Sequence, residues 1–136
     1  MIMPILSVKD VRDSVNFYVG KLGFEKDVLF DGPEGQPVFA IVRMGKAVFG
    51  LSTAENHETG AHVQFMVYVP EDANIDLLYS QVQQRGVVIK QEIKDGYWGD
   101  RTFSVLDPDG YLISMAKPVQ QIPNEEIAGY MKRMDA

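Results

Sequence analysis

Hydrophobic spacing divides the chain into a run of elements that occurs twice. Residues 3–8 (MPILSV) are a short apolar run. In the stretch KDVRDSVNFYVGKLGF, Val11, Val15, Tyr18 and Leu22 recur at helical spacing. Asp10, with Asp13 three positions on, supplies capping chemistry at the start of this helix. Gly23 can close it in the left-handed conformation. FEKDVLF (24–30) reads as a strand, DGPEGQP as a loop, and residues 38–52 as two strands around a Met-Gly-Lys turn. After TAENHETGA the order returns. HVQFMVYV (62–69) is a strand, DANIDLLYSQVQQRG a helix with Ile75, Leu78 and Val82 on one face, VVIKQEI a strand, and RTFSVLDPDGYLISM a strand pair.

The helix-terminal glycines, Gly23 and Gly86, lie 63 positions apart, and the hairpins superpose without a gap at an offset of 64. Val38 then falls on Thr102, Phe39 on Phe103 and Leu51 on Met115. This is an internal repeat of a strand–helix–three-strand unit. The predicted fold is α+β: two βαβββ repeats whose curved mixed sheets surround a central trough, with helices on the outside. One domain is expected, with repeat 1 at 1–53, a linker at 54–61, repeat 2 at 62–117 and a C-terminal helix at 123–134. Glu125 and Glu126 suit the positive end of that helix, and Lys132 and Arg133 its negative end. Ile127, Met131 and Met134 give it an apolar face, which fits either a partner subunit or a lid on the trough.

Alternation assigns faces. Val63, Phe65, Val67 and Val69 belong under a helix, so His62, Gln64, Met66 and Tyr68 face the trough. Tyr111, Ile113 and Met115 are the bulky set, leaving Leu112, Ser114 and Ala116 inward. Asp-Pro-Asp-Gly fits a type I turn with a glycine bulge, which sets Asp107 opposite Tyr111 and Ser104 opposite Ser114. The repeat then sets Ala40 opposite Gly50. A wall of Ala40, Gly50, Ser104 and Ser114 is small throughout, and unfilled space in a close-packed interior invites a ligand.

Composition narrows the function. Net charge is −6, with 13 basic residues scattered among 19 acidic ones, which argues against nucleic acid. No apolar run approaches the ~18 residues of a membrane span, and the first ten residues lack the basic region of a signal peptide. Cysteine is absent, which excludes disulfides and thiolate chemistry and suits the cytoplasm. His57 and His62 in HETGAH lack metal-ligand spacing. Asp107 and Asp109 read as turn residues, and Arg101 as a structural partner of Asp100 or Glu92.

SVKDVRDSVNFYVGKLGF near the start and WGDRTFSVLDPDGYLISM near the end resemble the vicinal oxygen chelate superfamily. That group includes glyoxalase I, extradiol dioxygenases, and fosfomycin- and bleomycin-resistance proteins. The resemblance covers residues 3 to about 117 and implies the paired βαβββ fold. It places the family's four metal-ligand positions on Met3, Gly50, Gln64 and Ser114, which supply neither imidazole nor carboxylate. The chain therefore resembles the metal-free bleomycin-resistance subgroup, whose homodimers bind a drug without reacting it. The expectation is a cytoplasmic, homodimeric small-molecule binder, with no cofactor or metal, that sequesters an aromatic or amphipathic compound. Its expected ligand-binding residues are Phe30, Gln64, Met66, Trp98, Ser104 and Ser114, with Trp98 either stacking on the ligand or packing at the trough rim. An uncharged lining predicts binding that changes little with salt. The alternative is a metal-dependent lyase, isomerase or dioxygenase of the same superfamily.

Overall fold

The structure is a computed structural model, and it describes residues 1–53 and 63–134. The expected linker at 54–61, with His57, and the expected trough-facing His62 at the start of the next strand lie outside the described residues. The elements are β1 (Ile5–Val8), α1 (Val11–Val15) continued by a π-helical turn (Asn16–Lys21), β2 (Glu25–Asp31), β3 (Pro37–Met44), β4 (Ala47–Thr53), β5 (Gln64–Tyr68), α2 (Ile75–Gln84), β6 (Ile89–Asp95), β7 (Asp100–Leu106), β8 (Leu112–Pro118) and α3 (Asn124–Met134). The strands form two four-stranded mixed sheets of the same design, β1-β4-β3-β2 and β5-β8-β7-β6. In each, the first and last strands of the repeat pair in parallel and the rest are antiparallel.

Local chemistry starts and stops the helices as the sequence suggests. Asp10 caps α1 by accepting from the Asp13 N–H, and Asn74 caps α2 by accepting from the Leu77 N–H. Gly23 and Gly86 follow the helices at φ 92° and 76°. The helix-covered sheet faces hold the core. Leu6, Val42 and Leu51 of the first sheet meet Val11, Tyr18 and Leu22, while Val67, Phe103 and Met115 of the second meet Ile75 and Val82. Phe65 joins the halves, 5.0 Å from Phe49 and 6.2 Å from Tyr111 by ring centroid. Val63, placed by alternation on the covered face, precedes the strand and is exposed.

The turn at 107–111 rivets the second repeat to the first. Lys9 N–H donates to Asp109 (2.8 Å), Tyr18 O–H to Asp107 (2.7 Å) and Tyr111 O–H to the Ser7 carbonyl (3.0 Å). Asp107 and Asp109 thus do more than shape a turn.

The hairpins are not gapless copies. In the second, Ser104 pairs with Ser114, as the glycine-bulge turn predicts. In the first, Met44 pairs with Ala47 around the two-residue turn Gly45-Lys46, which shifts the register by one. Ala40 therefore pairs with Leu51 and sits in the helix-covered core, and Ile41 lies opposite Gly50. Ala40 leaves the expected trough wall. Gly50 remains on the uncovered face, but the space its missing side chain leaves is taken within the chain: a Cβ there would lie 3.2 Å from both Phe39 and Ile5.

Arg101 corrects another expectation. It donates to Asp76 on α2 and to Asp95, not to Asp100 or Glu92. Adjacent strand residues point to opposite faces. Arg101 therefore shares the helix-covered face with Phe103, and Asp100 shares the uncovered one with Thr102 and Ser104.

Candidate ligand-binding face

The uncovered face of the second sheet carries a row of hydrogen-bonded side chains. Gln64 on β5 donates to Ser114 Oγ on β8 (2.9 Å), and Ser114 shares a 2.8 Å hydrogen bond with Ser104 on β7. Gln91 on β6 extends the row, donating to Thr102 Oγ1 at 3.0 Å. Met66 lies over Ser114 in the parallel register and is 43% exposed. Both serines are buried (4% and 3% exposed), so their hydroxyls are satisfied by each other and by Gln64 rather than left facing empty space.

The far end of this face is aromatic and acidic. Gly96, Gly99 and Asp100 form a tight turn through Gly96 N–H to Asp100 C=O (2.7 Å) and Gly99 N–H to Gly96 C=O (3.2 Å). The turn folds the Trp98 ring onto Gly96, where a Cβ would come within 2.5 Å of the indole. Trp98 Nε1–H and Tyr68 O–H both donate to Asp100 Oδ2, at 2.8 and 2.7 Å. The hydrogen bond to Asp100, followed by burial and the carboxylate's charge, pushes the Tyr68 phenol up to about 12. Tyr68 therefore stays a donor across the physiological range. Tyr97 stands edge-on to Trp98 and stacks face-to-face on Tyr130 of α3, with centroids 4.1 Å apart. Arg133 lies over the other part of this cluster, 5.9 Å from the Tyr130 ring.

Five of the six expected ligand residues thus belong to one region: Gln64, Met66, Ser104 and Ser114 on the face, and Trp98 at its rim. Phe30 does not join them. It lies on β2 of the other sheet, 57% exposed and stacked on Phe39. No hydrogen bond or aromatic pair joins the uncovered faces of the two sheets among the described residues. Asp100, Tyr68, Gln91 and Tyr130 complete the region. Period-two alternation from Ser104 leads to Asp100, and the signal is lost only when Asp100 is treated as a partner for its neighbour Arg101. The face is accordingly not free of charge, which revises the salt-independent expectation. A cavity of about 600 Å3 lies apart from all six residues, between the Gly45 turn and α2, where Met44, Val69, Leu77, Leu78 and Arg85 help to line it.

The side chains at the family's metal positions do not suit a divalent cation. Met3 and Gly50 offer no anionic donor, and Ser114 Oγ is already engaged by Gln64 and Ser104. Among the described residues, no three His, Cys, Asp or Glu side chains converge.

Gly96→Ala is expected to push the indole off its seat without straining the backbone. Trp98 is the single tryptophan, so its emission should shift to the red while far-ultraviolet circular dichroism stays unchanged. An unshifted spectrum would mean that the ring does not rest on Gly96.

Two βαβββ units of the same design, joined through the 107–111 turn, define a paired-repeat fold, and the chain belongs to the Glyoxalase/Bleomycin resistance protein/Dioxygenase superfamily, which matches residues 2–115. A bleomycin resistance protein of Geobacillus stearothermophilus is 29% identical over 134 residues, covering 87% of this chain and 96% of that protein. Among solved structures, TioX from Micromonospora sp. ML1 superposes with a TM-score of 0.72 at 22% identity, covering 87% of this chain and 98% of its own. TnmS3, described as an antibiotic binding protein from Streptomyces sp. CB03234, gives 0.67 at 22% identity over 85% and 93%. Among the described residues, no helix is long and apolar enough to cross a membrane.

Proposed function

We propose that this chain is a metal-independent binding protein that sequesters an aromatic or amphipathic small molecule of the antibiotic type. The ligand lies on the uncovered face of the second sheet, along Gln64, Met66, Ser104 and Ser114, with Trp98 at the rim. The observation that carries this reading is the face itself. It is the sheet face that α2 leaves free, with the buried, hydrogen-bonded Ser104 and Ser114 at its centre, Met66 and Tyr68 exposed beside them and aromatic rings at its end, while the metal positions hold Met, Gly, Gln and Ser. A few fixed polar groups beside apolar and aromatic surface are what a small-molecule site requires. The bleomycin resistance relative and the antibiotic-binding structural neighbour support the same class of ligand.

A homodimer in the cytoplasm completes the reading. Phe30 and Ile5 on one sheet and Met66 and Tyr68 on the other remain exposed in the single chain. A second copy brings the first sheet of one chain over the second sheet of the other, so that Phe30 contributes to the partner's ligand. The apolar side of α3, with Met131 and Met134 exposed, suits the same contact.

The test is titration with bleomycin, followed by Trp98 emission and native mass spectrometry. The expected result is a dimer that takes up the drug unaltered, with the same affinity before and after chelator treatment. Met66→Lys, at an exposed position where the fold tolerates change, should weaken binding about tenfold or more. A stoichiometric metal whose removal abolishes turnover of the compound would instead establish the enzymatic alternative.

A further inference from the structure

Three buried aspartates stand on β7 or in the turn that follows it, and one of them is bonded differently. Asp107 has both oxygens engaged: Oδ2 accepts from Tyr18, and Oδ1 accepts from the Asp109 and Tyr111 N–H groups. Asp109 accepts from Lys9 N–H on Oδ1 and faces Ser14 Oγ with Oδ2. Asp100, 7% exposed, takes both of its hydrogen bonds on Oδ2, from Trp98 and Tyr68. Among the described residues its Oδ1 has no donor, and no lysine or arginine lies within ion-pair reach of it.

A buried carboxylate without a counter-cation is costly, and two neutral donors on one oxygen compensate it only in part. Asp107 and Asp109 answer this with donors from another part of the fold. Asp100 stands instead on the uncovered face, in register with Thr102 and Ser104. Trp98 and Tyr68 hold it by one oxygen, and Tyr97 stands edge-on to Trp98; aromatic faces attract cations, and at the far end of the Tyr97–Tyr130 stack the chain's own Arg133 already lies over Tyr130. The carboxylate and the rings call for the same kind of group.

We infer that the ligand carries a cationic nitrogen, a protonated amine or an amidine-type group, that binds Asp100 Oδ1 with an aromatic ring of the Trp98–Tyr97 cluster beside it. This rests on the reading of the face as a small-molecule site. Tyr68 and Trp98 act as positioning residues: they fix the carboxylate on Oδ2 and leave Oδ1 for the ligand. A charge-assisted hydrogen bond in this setting favours a cation over its neutral isostere by roughly 10- to 100-fold.

The test uses the intact chain and two matched probes, 1-naphthylmethylamine and 1-naphthylmethanol, titrated at neutral pH by calorimetry and Trp98 emission. The wild type should prefer the amine at least about tenfold, and rising salt should erode that preference. Asp100→Asn keeps an acceptor for Tyr68 and Trp98; it should lose the preference, the amine's affinity falling to that of the alcohol. Tyr68→Phe keeps the carboxylate but removes one of its two anchors; it should reduce the amine preference without abolishing it, whereas a folding defect would weaken both probes alike. Equal binding of both probes by the wild type overturns the inference but leaves the binding site standing. So does Asp100→Asn weakening the dimer without changing selectivity, because the cation on Asp100 would then come from the second copy. Failure of either probe to bind, alongside failure of bleomycin, removes the site and the inference together.

Discussion

Gly99→Ala is expected to destabilise the chain by about 3–5 kcal/mol and to detach the C-terminal segment from the candidate face. Two causes combine. Gly99 has φ 108°, where a side chain is strained. A Cβ there would also lie 2.1 Å from the backbone oxygen of Gln120, which cannot swing away as a side-chain tip can. The Gly99 carbonyl holds that same segment by accepting from the Val119 and Gln120 N–H groups, at 2.9 and 3.0 Å. The clash therefore breaks the seat from which the chain runs on to α3, and with it the Tyr97–Tyr130 stack. At roughly 3–5 °C per kcal/mol for a chain this size, the melting temperature should fall by about 10–20 °C. Gly110→Ala is the control: φ is 87°, but no atom lies within 4 Å of its Cβ, so only the strain of about 1–2 kcal/mol is expected. If the two variants melt together, the segment at 119–120 does not rest on the Gly99 turn.

The repeat, the element order and the helix caps were legible because each depends on chemistry within a few residues. Asp10, Asn74, Gly23 and Gly86 each act on their own turn of backbone. The face of Gln64, Met66, Ser104 and Ser114 was legible for a similar reason, since period-two alternation along β5, β7 and β8 carries through once one residue is oriented. What failed depended on a choice that alternation cannot make. A two-residue turn at Gly45-Lys46 against a longer one at 107–111 moved Ala40 from the trough wall into the core, although the two hairpins align without a gap in sequence. Arg101 lies beside Asp100 in sequence and on the opposite face in space, so its partner came from α2. Phe30 has an inward face on β2, but that face belongs to the first sheet, and sequence does not say which sheets meet within one chain. The link between repeats was also hidden. Asp107 and Asp109 satisfy their own turn, and nothing local shows that Tyr18 and Lys9 reach them from about 90 to 100 residues away.

That link supports the second large effect. Asp107→Ala removes the acceptor for three buried donors at once: Tyr18 O–H, Asp109 N–H and Tyr111 N–H. Each stranded donor costs about 1–3 kcal/mol and the costs do not add fully, so a loss of about 4 kcal/mol is expected. That is a large share of the 5–15 kcal/mol by which a domain is typically stable. Asp107→Asn separates geometry from charge. Its carbonyl oxygen can still accept from Asp109 and Tyr111, leaving only the Tyr18 contact altered, at about 1 kcal/mol near the lower end of the range. The charge has its own pH signature. Burial raises the Asp107 carboxyl above its ordinary value, against the opposing pull of the Tyr18 and backbone donors. The folded chain therefore holds this proton more tightly than the unfolded chain does. The stabilisation is complete below the unfolded carboxylate value, about 3.9, and is lost as pH rises through the higher folded value. Measured against Asp107→Asn, which cannot titrate here, wild-type stability should fall across that window on going from acid to neutral pH. Denaturant melts of both proteins between pH 3.5 and 7.5 provide the comparison. A wild type that instead gains on Asp107→Asn with rising pH would show that the donors around Asp107 outweigh its burial.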